Sequence, residues 1–237
     1  SGKGGTVACR IDGAAAERVR KLAAEAGASP FMLLLAAFNA LLHRYTGRTD
    51  IVAGTLSAGR SSAAVERMPG MFVQTLALRC RPEADKTFRV FLNEVKETVL
   101  RARAHEDYPA DRFQTRVGAA KPGKRGPLFD VMFNYLNYDD QELSLPGLTV
   151  VPFPIELHSA RFDLVVEARE TKASFELRWT YSADLFREES VRRMSEHYRE
   201  LAERFAANPD AALGDAVAEP DEGGTDAEWR HSIDFIF

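Results

Sequence analysis

The 237-residue chain has only two cysteines, Cys9 and Cys80, far apart and outside any CxxC spacing. Neither a disulfide framework nor a cysteine zinc site is indicated, and both read as reduced core thiols. Its five histidines, His43, His105, His158, His197 and His231, are scattered, with no HExxH motif and no adjacent pair. No metal is expected. The net charge is −4 and no block of like charge is long enough to follow a phosphate backbone, so nucleic acid is set aside as a partner. The longest apolar run, FMLLLAAFNALL, is too short to span a bilayer, and the N-terminus lacks a basic, apolar, small-residue signal pattern. A cytoplasmic protein without a membrane partner is expected. Internal repeats are also lacking.

What is present is a chain with 45% hydrophobic residues, enough to bury one large core or two small ones. Strand and helix patterns alternate. TVACRID reads as a strand, and GAAAERVRKLAAEAGA after it as a helix. Ser29 followed by Pro30 is an N-cap with proline at the first helical position, and Gly47 falls where a helix over FMLLLAAFNALLHRYT should stop. That helix is apolar on nearly all sides and should be central. DIVAGTLSAG and MFVQTLALRC read as buried strands, the second with the polar Gln74 at its midpoint. TFRVFLNEVKETVLRARAH places Phe88, Phe91, Leu92, Val95 and Val99 on one helical face. A short helix and the basic Gly/Pro-rich loop AAKPGKRGP follow. LFDVMFNYLNY is then expected as a long strand, RFDLVVEARE and ASFELRWTYS as a hairpin, and a last helix from about Asp184 to Ala207.

No self-contained active site emerges from these residues. Ser57 in GTLSAGR has G-x-x-S-x-G spacing, which lacks the G-x-S-x-G of a nucleophile elbow. His43 reads as a helix-boundary residue, His197 as a solvated one, and His105, in HEDYP, as a helix-ending one. Glu106 and Asp107 are adjacent, so on a helix they would point about 100° apart and could not act as an acid/base pair across one bond.

Taken in order, GTLSAGR, MPGMFVQTLALR, AHEDYPADRF, RGPLFDVMFNYLN, ARFDLVVEA and YSADLFREESVRRM resemble the C-terminal half of a nonribosomal peptide synthetase condensation domain, over roughly residues 5–208. The resemblance implies an α/β two-layer sandwich, one half of a pseudo-dimer like chloramphenicol acetyltransferase, with a substrate channel between the halves. The family's paired catalytic histidines belong to the other half, so no catalytic residue is expected here. The parent reaction would join two carrier-bound thioesters through an amide bond. The partners implied are the N-terminal half of the domain and peptidyl carrier proteins. No cofactor would be bound beyond the phosphopantetheine arm the carriers bring.

The family pattern close to GMFVNT sets its polar position on the channel floor, and Gln74 occupies it, with Ser57 beside the channel. A second reading of Gln74, a hydrogen-bonded core amide, stays open. Arg60 is expected to anchor a loop through a carboxylate. Asp107, Tyr108, Pro109 and Asp163 are expected as scaffold. A condensation-like recruitment module and a coenzyme A-dependent acyltransferase of the same superfamily are the rival readings.

The expected organisation is a subdomain over residues 1–213, an acidic flexible linker over 214–228 and an apolar tail over 229–237. The tail carries Trp229, Ile233, Phe235, Ile236 and Phe237 behind Asp221, Glu222, Asp226 and Glu228. It reads as a docking peptide for a downstream synthetase subunit, or as a segment that folds back on its own domain.

Overall fold

A computed structural model describes residues 2–60, 62–108, 112, 116, 128–136, 147–148 and 159–215. Its elements are β1 (Gly4–Asp12), α1 (Gly13–Glu25), α2 (Pro30–Thr46), β2 (Ile51–Ser57), α3 (Ala63–Glu66), β3 (Gln74–Cys80), α4 (Phe88–Ala104), β4 (Val131–Leu136), β5 (Leu164–Glu170), β6 (Ser174–Ser182) and α5 (Glu188–Ala207). The six strands form one mixed sheet in the order β1-β6-β5-β4-β2-β3. β4 runs parallel to both of its neighbours, and the other pairs are antiparallel.

α2 is the centre of the core because its sequence has no polar face. All residues from Met32 to Leu42 are buried, with Ser29 Oγ accepting the Met32 N–H at 3.3 Å. Gly47 ends the helix at φ 68°, a left-handed conformation that costs glycine little. Phe38 of α2 meets Phe133 of β4 at 5.4 Å, Trp179 of β6 at 6.1 Å and Tyr198 of α5 at 6.5 Å between centroids. α1, α4 and α5 pack around α2, and alternate strand residues (Val7, Ile11, Leu164, Val166, Leu177, Trp179) join the same core. The helices therefore form one layer over one sheet face.

Three sequence expectations shift. Gln74 begins β3 instead of lying midway along a strand, since Pro69 and Gly70 keep the preceding residues out of the ladder. β3 is an edge strand with Thr75 and Arg79 exposed, not a buried one, because among the described residues no strand lies beyond it in the sheet. The last helix starts at Glu188, the residues from Asp184 being held in a turn by Leu185 and Phe186 N–H bonds to the Ser182 carbonyl. Of the expected short helix after Pro109 only Arg112 and Arg116 are described, both of them helical, while the basic loop up to Pro127 and the linker and tail from residue 216 onward lie outside the described residues.

Candidate channel site at the end of strand β2

β2 ends at Ser57, whose partner across the antiparallel ladder is Gln74. Strand alternation puts both on the face of Ile51, Ala53, Leu78 and Cys80, at the rim of the helix layer, and both are half-buried. Ser57 Oγ donates to Glu106 Oε2 at 2.5 Å. Glu106 follows the α4 C-cap His105 and is buried, while its backbone N–H bonds to the Arg103 carbonyl at 3.2 Å.

A second side chain holds the same strand end. β2 and β4 pair at Gly54 and Met132, and Asn134 of β4, buried, accepts the Leu56 N–H on Oδ1 at 3.2 Å. A carboxamide thus supplies the acceptor that a continued backbone ladder would have offered. Gly54 itself must be glycine, because a Cβ there would overlap the Phe129 ring. Gln74 makes no side-chain hydrogen bond among the described residues. The turn after β2 passes over it at Gly59, φ 62°, where a Cβ would overlap the Phe72 carbonyl.

Arg60 is corrected in its partner. Its guanidinium donates to the carbonyls of Val65, Glu66, Met68 and Gly70, at 2.9 Å for Met68, and lies 4.5 Å from the Phe72 ring centroid. One planar fork thereby gathers the loop between β2 and β3 through backbone and ring, where a carboxylate was expected. Asp107 and Tyr108 are exposed, the latter closing a turn by its N–H to the His105 carbonyl at 3.1 Å. Pro109 lies outside the described residues, as do Trp229, Ile233, Phe235 and Phe237. Asp163 is buried where three strands meet: its N–H bonds to the Asp130 carbonyl, and its carbonyl accepts the Ser182 N–H, both at 3.0 Å.

His197 is not simply solvated. Its Nδ1 lies 2.6 Å from the Tyr45 hydroxyl, and burial, aided by Arg44, lowers its pKa from the ordinary 6.5. His43 Nδ1 is 2.7 Å from the Arg48 carbonyl. Burial pushes the thiols of Cys9 and Cys80 up to about 11 and about 12, so neither supplies a ready thiolate. Among the described residues no group of three or more His, Cys, Asp or Glu could hold a metal ion, and no single helix is long and apolar enough to cross a membrane.

Sequence reasoning missed Glu106 and Asn134. Asn134 carries the same signal that drew attention to Gln74, a lone carboxamide in an apolar strand. Glu106 stands beside Asp107, 49 residues from Ser57, and no local pattern links the two.

The chain belongs to the condensation domain family, whose model matches residues 1–224. Among curated proteins it is 41% identical over 199 residues to tyrocidine synthase 3 of Brevibacillus parabrevis, a match covering 84% of this chain and 3% of that protein. To gramicidin S synthase 2 of Aneurinibacillus migulanus it is 40% identical over 199 residues, covering 84% and 4%. To surfactin synthase subunit 1 of Bacillus subtilis (strain 168) it is 37% identical over 211 residues, covering 89% and 6%. The chain thus spans only a small part of these relatives. Its fold is similar to that of AB3403, a four-domain nonribosomal peptide synthetase, with TM-score 0.84 and 24% identity over 93% of this chain and 18% of the other. The X-domain from teicoplanin biosynthesis gives TM-score 0.84 and 27% identity, covering 92% of this chain and 50% of that one. The condensation domain of the monacolin K polyketide synthase MokA gives TM-score 0.76 and 24% identity, covering 89% and 49%.

Proposed function

We propose that the chain is the C-terminal half of a condensation domain, one side of a pseudo-dimer like chloramphenicol acetyltransferase, and that it supplies a channel wall for amide bond formation between carrier-bound thioesters. The observation that carries this reading is coverage: over nine-tenths of this chain aligns with the X-domain but takes up 50% of it. The missing length is that of a second half. An exposed apolar stretch, Leu56, Met68, Met71 (89% exposed) and Val73, sits beside Ser57 and Gln74, as a surface awaiting such a half would.

In this reading the acceptor amine attacks the donor thioester carbonyl, the carrier's thiol leaves, and proton transfer is left to the histidine of the other half. The phosphopantetheine arm arrives with the carrier as part of the substrate. This chain positions: Glu106 and Asn134 hold the end of β2, and Gln74, whose amide makes no hydrogen bond among the described residues, faces the arriving arm. The test is reconstitution with the N-terminal half and two loaded carrier proteins. Dipeptidyl transfer by both halves together and none by this chain alone is expected, and transfer by this chain alone would overturn the reading.

A recruitment role is the second reading. The observation favouring it is the likeness, at 27% identity and TM-score 0.83, to the X-domain captured in complex with OxyB from teicoplanin biosynthesis. Paired histidines in the sequence upstream of this chain favour catalysis, and their absence favours recruitment.

A further inference from the structure

We propose that Glu106 holds the α-ammonium group of the acceptor arm and so selects an amine, not an alcohol, as the nucleophile. The proposal rests on the half-domain reading and names the chemistry that its channel rim takes.

Three observations meet at this carboxylate. First, Glu106 is 7% exposed, yet among the described residues its carboxylate meets the Ser57 hydroxyl alone, on Oε2. A carboxylate accepts several hydrogen bonds, and a buried one is ordinarily paired with a cation. Glu170 shows the ordinary case: with its side chain 32% exposed, it is met by Arg20 at 2.9 Å and by the Tyr135 hydroxyl. Glu106 is more deeply set and has no cation among the described residues. Arg60, close to Ser57 in sequence, is committed to the carbonyls of its own loop.

Second, the carboxylate is held in place. Glu106 lies in the turn that closes α4, with its N–H on the Arg103 carbonyl at 3.2 Å and the Tyr108 N–H on the His105 carbonyl at 3.1 Å. That turn sends Glu106 inward and leaves Asp107 and Tyr108 exposed. The single proton of the Ser57 hydroxyl goes to Oε2, while its oxygen faces the Gly59 N–H at 3.5 Å. Oε1 is thereby left for another donor.

Third, its neighbours open to the channel. Ser57 and Gln74 are ladder partners on one face, both half-buried, a pairing that sets Cβ atoms about 4.5–5.5 Å apart. Glu106 stands one hydrogen bond from Ser57, so a carboxylate and an amide share the rim that the carrier's arm reaches. The Gln74 amide suits the amide groups of that arm. The ammonium, next to the thioester carbonyl, brings N–H donors and a full positive charge, which is what Oε1 lacks. A hydroxyacyl acceptor brings no charge to the same place.

The test uses two probes, pantetheine carrying alanine and pantetheine carrying lactate, each joined through an amide in place of the thioester. Both are titrated into the full chain up to millimolar concentration and followed by the NMR shifts of backbone amides. The alanyl probe should bind about tenfold more tightly than the lactyl probe, with its shifts centred on Ser57, Gln74 and Glu106. In Glu106→Gln, which keeps an acceptor for the Ser57 hydroxyl, the two probes should bind alike. Where that variant does not fold, the affinity ratio and the position of the shifts in the unaltered chain decide. Equal affinity for the two probes, binding of neither, shifts centred elsewhere, or an equal loss of both in the variant would overturn the proposal. No readout involves transfer. Two halves that fail to transfer overturn the half-domain reading, whereas two halves that transfer beside a chain without preference overturn the role of Glu106 alone.

Discussion

Ser57 and Glu106 are joined by a 2.5 Å hydrogen bond that ties the end of β2 to the end of α4 across 49 residues of sequence. The acceptor is a buried carboxylate, so losing the donor leaves a charged group short of a partner. Ser57→Ala should destabilise the chain by about 1–3 kcal/mol, and Ser57→Thr, which keeps the hydroxyl, by less. Urea titration followed by circular dichroism reads both values. Equal midpoints for the unaltered chain and Ser57→Ala would show that the bond carries no net stability.

Gln74 faces Ser57 across the ladder, but its side chain has no hydrogen-bonding partner among the described residues. Gln74→Ala should move stability by no more than about 0.5 kcal/mol. In the reconstituted domain the same substitution should lower turnover. A core amide would behave in the opposite way, with stability lost and turnover retained in the folded fraction.

Arg60 gathers four carbonyls and a ring, so the shape of its side chain matters as much as its charge. Arg60→Lys should fail to replace it, because an ammonium cannot fork between carbonyls and stack on Phe72 at once. Limited proteolysis should cut within residues 62–72 faster in Arg60→Ala and Arg60→Lys than in the unaltered chain, with global unfolding little changed. Protection by lysine equal to that by arginine would show that charge alone suffices.

His197 should make stability fall in mild acid. Burial, the first cause, and Arg44, the second, lower its folded-state pKa below 6.5, while Arg193 acts in the same direction and Glu196 and Glu200 oppose it. Between the folded and unfolded pKa values the unfolded chain binds more protons, so stability rises with pH across that window. The contribution is complete above 6.5 and is lost as pH drops through the lowered value. His197→Gln should flatten the dependence of melting temperature on pH below 6.5. An unchanged slope would place the titration elsewhere.

The exposed stretch Leu56, Met68, Met71 and Val73 should make the isolated chain self-associate. Light scattering across a concentration series reads this, and Met71→Lys with Met68→Lys should shift the chain toward the monomer. A strictly monomeric unaltered chain would count against this surface as an interface.

Much of the scaffold was legible because its signals are local. Ser29, Pro30 and Gly47 mark both ends of α2, and apolar periodicity marks the buried face of α4 at Phe88, Phe91, Leu92, Val95 and Val99. The family too could be read from motifs in order. The contacts that shape the site were not legible, since they join distant residues: Glu106 to Ser57, Asn134 to Leu56, and Tyr45 to His197. The edge position of β3 was hidden for a related reason. Its alternation of Leu76 and Leu78 with Ala77 suits a covered strand, and only the strand order shows that, among the described residues, nothing pairs with one side of its backbone.

The pairing of β1 with β6, Gly4 opposite Ser182 through Asp12 opposite Ser174, gives the sheet a temporal order during synthesis. When β1 leaves the ribosome its mate is not yet made, and at about 5–20 residues per second the delay is on the order of ten seconds or more. The β2–β3 hairpin, local in sequence, can close long before. The nascent chain thus carries an unmated β1 until β6 is made, and that side of the sheet is sealed only when Tyr181 and Ser182 emerge.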